Sequence, residues 1–180
     1  MPNLLILELF SKKMIKNFFN YQKRINLSLF VKLNNSMLIN KNFENLTLPK
    51  KGNLLKINNS SKSDTIVICQ GADILNEIFK IKEQLKSIKN VSIFAAVWLN
   101  KINKQEILKL NNKKILIFQS ATNFGSYDSF LSNKILSHNC KIKKFKVVSI
   151  KNLPACGQND EVLKHHNLSS DRILRMIKNF

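Results

Sequence analysis

Residues 64–71 read "DTIVICQG" and residues 72–89 read "ADILNEIFKIKEQLKSIK". The first stretch is an apolar, β-branched run that stops at Gly71, the pattern of a strand buried on both faces. The second places Ile74, Leu75, Ile78, Ile81 and Leu85 on one helical face, with Asp73 near the positive end of the helix dipole. A buried strand feeding an amphipathic helix is the unit from which parallel sheets are assembled.

The same unit recurs downstream. "NVSIFAAVWL" (90–99) reads as a strand followed by a short helix near 104–110. "KKILIFQ" (113–119) is a strand, "SYDSFLSNKILSHN" (126–139) a helix, and "KKFKVVSI" (143–150) a last strand. "LPACGQ" turns the chain, and "NDEVLKHHN" and "SSDRILRMIKN" close it with two helices, Ser169 or Ser170 serving as N-cap of the second. Upstream, residues 4–24 carry Leu7, Phe10, Met14, Ile15, Phe18 and Phe19 at a helical period. "LSLFVKL" (27–33) reads as a strand, 34–53 as a polar linker punctuated by Pro49 and Gly52, and "LLKI" (54–57) as a short strand. This alternation predicts an α/β fold with a largely parallel sheet covered on both faces.

The 180 residues carry 30 Lys and Arg against 11 Asp and Glu, a formal charge of +19. Such a field attracts polyanions. The cations are nearly all Lys, however, interleaved everywhere with Asn and Ile, as residue choice from an AT-rich coding sequence would produce. No Arg cluster, zinc-finger spacing or basic heptad accompanies them, which disfavours a nucleic-acid partner. Cys69, Cys140 and Cys156 are odd in number and widely spaced, as free thiols of a reducing compartment are. The first residues lack the layout of a signal peptide, and no apolar run approaches the ~20 residues that span a bilayer. A cytoplasmic protein without a membrane partner is expected.

Chemistry is sparse. Gly52, Gly71, Gly125 and Gly157 lie too far apart to form a phosphate-cradling loop, so "QSATNFGS" (119–126) reads as a backbone turn. His165 and His166 are adjacent on a helix and point about 100° apart, which suits a solvated helix end better than a metal site. Neither Cys69 nor Cys156 is marked as an activated thiol. Asp73, Glu77, Asp128, Asp160, Glu161 and Asp171 fall in or near helix first turns, where the dipole accounts for them; Glu77 is expected to form an ordinary solvated pair with Lys80. Trp98 and the phenylalanines read as core.

From the linker onward, the order of features resembles the C-terminal domain of the transketolase family, which includes transketolases, 1-deoxyxylulose-5-phosphate synthases and the beta subunits of 2-oxo acid dehydrogenases. "GNLLKINNSSKSDTIVICQGADILNEIFKIKEQL" is similar to the family's short strand, apolar strand, Gly and helix. "VSIFAAVWLNKINKQEI" resembles its second strand and exit, with Lys101 at a Pro and Asn103 at an Asp. "ILIFQSATNFGSYDSFLSNKIL" resembles the third, with Gln119 at a Glu, Thr122 and Asn123 at paired glycines, and Gly125–Ser126 kept. The tail "SIKNLPACGQNDEVLKHHNLSSDRILRMI" is the most specific match, with Asn167 at a Gly. Further upstream, "LSLFVKLNN" resembles the last strand of the preceding pyrimidine-binding domain. Lys32 takes the place of its first arginine and Asn35 of its second, a position that contacts substrate phosphate in several members. A neutral Asn gives no bidentate charge-assisted grip, and the resemblance implies Lys32 as the candidate substrate-phosphate residue.

The resemblance implies a helix–strand remnant of that preceding domain plus linker over 1–47 and a transketolase C-terminal-like domain over 48–180. It implies a three-layer α/β/α arrangement with five strands, the first antiparallel. It places no catalytic, cofactor or metal residue in this chain; thiamine diphosphate and a divalent metal are expected only in a complex with the missing domains. The partner expected is a separately encoded transketolase-like N-terminal subunit, or a homodimer mate. Leu7, Phe10, Met14, Phe18 and Phe19, short of local partners, are the expected docking residues. Three readings follow: a non-catalytic subunit or piece of a transketolase-like enzyme, a degenerate remnant without activity, or a basic nucleic-acid-binding protein.

Overall fold

The computed structural model describes residues 3–22, 27–33, 41–58, 60, 63–122, 126–151 and 155–180. The elements run β1 (Leu4–Leu9), α1 (Lys12–Gln22), β2 (Ser28–Leu33), a 3-10 turn (Lys41–Phe43), β3 (Leu55–Asn58), β4 (Thr65–Gln70), α2 (Ala72–Lys80), α3 (Lys82–Lys86) and β5 (Val91–Ala95). They continue with α4 (Lys104–Leu108), β6 (Lys113–Thr122), α5 (Tyr127–Ser137), β7 (Ile142–Ile150), α6 (Asn159–His165) and α7 (Ser170–Lys178).

The main sheet has five strands in the order β3-β5-β4-β6-β7. β4, β5, β6 and β7 run parallel, and β3 pairs antiparallel with β5. All six residues of β4 are buried, as a central strand covered on both faces requires. The strand's period of two then divides the core. Val67 and Cys69, with Leu116 and Phe118 of β6, meet Ile74, Ile78 and Ile81 of the α2–α3 segment and Leu163, Ile173 and Ile177 of α6 and α7. Ile66 and Ile68, with Ile115 and Ile117, meet Ile107, Leu131 and Ile135 on the other side. These two clusters give the main sheet a helical layer on each face, the covered sheet that the alternation predicts and the three-layer α/β/α arrangement that the resemblance implies.

Three elements differ from the sequence reading. Residues 4–24 do not form one helix: Leu4–Leu9 is a strand, and α1 begins only after Ser11, whose Oγ accepts the Met14 N–H at 3.0 Å. The reason is long-range. β1 pairs in parallel with β2, and its other side is stitched to residues 97–100. There Glu8 N–H donates to Val97 O, Leu99 N–H donates to Ile6 O, and Asn100 bonds both Ile6 N–H and Leu4 O. The helix expected over 72–89 breaks at Ile81, whose φ of −106° leaves the α region. The expected linker, over its described part, is pinned down. Phe43 is buried, Ser11 Oγ donates to Leu46 O, Trp98 Nε1 donates to Pro49 O, and Asn103 holds Lys51 O and Asn53 Oδ1.

Gly71 joins β4 to α2 with φ 103° and ψ 140°, a conformation open in practice to glycine alone. A Cβ there would also lie 1.9 Å from Ser120 Oγ. Gly71→Ala is therefore expected to lower the unfolding free energy by about 2 kcal/mol or more. Combining it with Ser120→Gly removes the clash but not the backbone strain, so urea titration of the double variant should show partial recovery only.

Candidate functional site

The chain leaves β4 through α2 on one face of the sheet and leaves β6 through α5 on the other, since the two helices belong to opposite core clusters. Helices diverging from adjacent parallel strands open a crevice at the strands' C-terminal ends, where open α/β sheets characteristically hold ligands. Here that position is occupied by the chain itself. Glu8 reaches it from β1. Its Oε1 accepts the Ala72 N–H at 3.2 Å, and its Oε2 accepts a proton of Gln70 Nε2 at 3.2 Å. Lys32 Nζ lies 3.3 Å from Oε1. The geometry follows from register, because Glu8 and Lys32 are opposite one another in the β1–β2 pair.

The Glu8 carboxylate therefore sits at the positive N-terminus of α2, where a bound anion is otherwise stabilised. It has no exposed surface, whereas the Lys32 side chain is 45% exposed. Burial pushes the Glu8 carboxyl above the ordinary value of 4.5, while Lys32 and the two hydrogen bonds pull the other way. Burial wins because the ammonium stands partly in water, which screens its attraction. Gln70 Oε1 is buried beside the cluster and has no hydrogen-bond partner among the described residues.

Lys32, the residue singled out for substrate phosphate, is thus the counter-ion of Glu8. Asn35, Asn123 and Gly125 lie outside the described residues. Gln119, in the loop read as a turn, is fully buried and bonds Ser126 Oγ at 2.8 Å and Asp128 Oδ1 at 3.0 Å, which ties the end of β6 to the first turn of α5. Asp73, Asp128, Asp160, Glu161 and Asp171 stand in helix first turns. Glu77 does not, and its pair with Lys80 is not an ordinary solvated one. The Glu77 side chain is 5% exposed, and its Oε2 accepts the Ser170 N–H at 2.8 Å, so it caps α7 from a distance. Ser169 is that helix's N-cap by position but makes no side-chain cap bond. His166 is likewise no solvated helix end: it is buried, and its Nε2 accepts the Ala155 N–H at 3.3 Å. Cys69 is fully buried and its thiol is pushed far up by burial, which makes it inert. Glu8 is the residue that sequence reading missed. The available signal was a carboxylate inside the apolar run "LLILELF", since a charge in a buried strand demands a partner.

The other exposed feature is apolar. Leu7, Phe10, Met14 and Phe18, expected to seek a partner, are buried within the chain's own core. What remains outward is Phe19, 57% exposed, with Phe30 at 58% and Leu33 at 51% on β2. Between α1 and the two-stranded sheet runs a groove of about 250 Å³ whose walls include Ile15, Phe18, Leu29 and Val31.

No protein-family model matches this chain, and no curated protein matches it. Solved structures do. A split-gene transketolase, solved as an inactive beta4 tetramer, superimposes over 99% of this chain with a TM-score of 0.79 at 10% identity. The fold is that of a transketolase. A second transketolase, from Campylobacter jejuni subsp. jejuni NCTC 11168, covers the whole chain with a TM-score of 0.63 at 16% identity. The chain spans 58% of the first and 27% of the second. At these identities the likeness establishes the transketolase fold and nothing finer. No helix among the described residues is long and apolar enough to cross a membrane.

The raised Glu8 carboxyl has a pH signature. Between the ordinary value of 4.5 and its folded value, the folded chain binds more protons than the unfolded chain, so stability falls as pH rises through that window. In urea titrations at stepped pH, the stability difference between the native chain and Glu8→Gln should decline across the window and level off above it. A difference that grows with pH there would mean that the Lys32 attraction outweighs burial.

Proposed function

We propose that this chain is the C-terminal part of a transketolase-like, thiamine-diphosphate-dependent enzyme. It is non-catalytic by itself and is completed by a separately encoded chain that carries the cofactor-binding domains. The observation that carries this reading is the β1–β2 pair. Parallel sheets occur almost only with several strands and covered faces, and two strands alone are marginal. Among the described residues, β2 presents an unpaired edge with Phe30 and Leu33 in solvent, beside the groove under Phe19. A partner that extends this sheet past β2 and covers the groove would complete a second α/β unit.

The described residues offer no seat that fits the cofactor. Among the described residues no three of His, Cys, Asp and Glu gather to hold a metal. The helix N-terminus at the switch point, the natural seat for a diphosphate, is taken by Glu8. No step of the chemistry is therefore assigned to this chain. A substrate-phosphate contact from Lys32 remains part of the proposal, drawn from the exposed half of a side chain it shares with Glu8. A homodimer mate is the alternative occupant of the β2 edge; the split-gene transketolase of the same fold is itself a tetramer of beta chains. The three cysteines are free, and we extend the proposal to a cytoplasmic location on that ground.

Calorimetry on the purified chain is expected to give no stoichiometric binding of thiamine diphosphate. Adding a chain that carries the cofactor domains of a split transketolase should yield a complex in gel filtration. Phe30→Asp and Leu33→Asp should abolish that complex while leaving the thermal melt of the isolated chain within a few degrees. Tight binding of the cofactor by this chain alone, or a complex indifferent to both substitutions, would refute the reading.

A further inference from the structure

Edge strand β7 and the junction between α6 and α7 enclose a second concavity, of about 350 Å³. The strand order puts it on the side of the sheet opposite β3 and β5, away from the β1–β2 unit, which is stitched to residues just after β5. Its walls combine Lys146 and Lys151 from β7 and its exit with His165 and His166 from the end of α6, and among the described residues no Asp or Glu lines it. Neither lysine enters an ion pair among the described residues.

One of the two imidazoles is held in place. His166 is buried and accepts the Ala155 N–H on Nε2, which leaves Nδ1 as the donor, with no hydrogen-bond partner among the described residues. The His165 ring packs edge-on against it at 4.9 Å and 90°. As the outer strand among the described residues, β7 also turns alternate peptide groups away from β6. The volume lies at the lower end of the range for small-molecule sites.

We propose that this cavity binds a small phosphate monoester, the two ammonium groups matching the dianion and the imidazole N–H fixing its oxygens. The inference is independent of the assembly proposed above and stands if that assembly fails.

The test is calorimetric titration of the full chain with inorganic phosphate and with glycerol 3-phosphate, at fixed ionic strength set by potassium chloride. Saturable one-to-one binding is expected, weakened at least tenfold by Lys146→Gln with Lys151→Gln. It should change less than twofold in a charge-matched control, Lys12→Gln with Lys13→Gln, on α1. Tighter binding of the ester assigns the site to organic phosphates; equal affinity assigns it to phosphate itself. Absence of saturation with both probes, or equal weakening in the two double variants, would overturn the proposal, the latter because the net charge of +19 would then account for the binding.

Discussion

A carboxylate with no exposed surface must find partners for its oxygens, and Glu8 finds them only if β1 lies across the C-terminal end of β4. Leaving such a charge buried and unpaired costs about 3–5 kcal/mol, so this contact and the placement of the N-terminal segment are one constraint. Several features depend on it. β1 is a strand because its two edges meet β2 and residues 97–100. Lys32 faces the sheet because it is the cross-strand neighbour of Glu8. Gly71 carries no side chain, which lets the β4–α2 turn bring the Ala72 N–H to the carboxylate while Ser120 closes in from β6.

The consequence for chemistry is a filled switch point. In an open α/β sheet, the divergence of α2 and α5 would leave an anion-binding crevice, and here an internal anion occupies it. The sheet is thereby a scaffold in which that position is spent on holding two substructures together. The two surfaces proposed above for recognition are peripheral: the apolar β2 edge at one end and the basic cavity against β7 at the other.

The alternation of buried strands and amphipathic helices from residue 54 onward was legible because each strand and helix carries its period locally, and β4 and α2 show it most clearly. The resemblance supplied what period cannot, namely that β3 runs antiparallel. The misreadings share a physical cause. "LLILELF" fits a helical stripe as well as a strand, and leucine favours the helix; only the pairing with β2 and with residues 97–100 decides it. The break at Ile81 has no Gly or Pro to announce it. Glu77 and His166 look like solvated helix residues in isolation, and each is buried by a contact with a distant segment: the start of α7 for one, Ala155 for the other. For the same reason the partners of Glu8 were not legible, although the buried carboxylate itself was signalled: the cluster's four members come from β1, β2, β4 and α2.

Hydrogen exchange of individual amides addresses the organising contact directly. If Glu8 fastens β1 to the sheet, the Ala72 amide and the amides of β1 that bond residues 97–100 and β2 exchange as slowly as those of β4 in the native chain. In Glu8→Ala they exchange faster while β4 and β6 keep their protection. Equal exchange at Ala72 and along β1 in the two proteins would contradict the account.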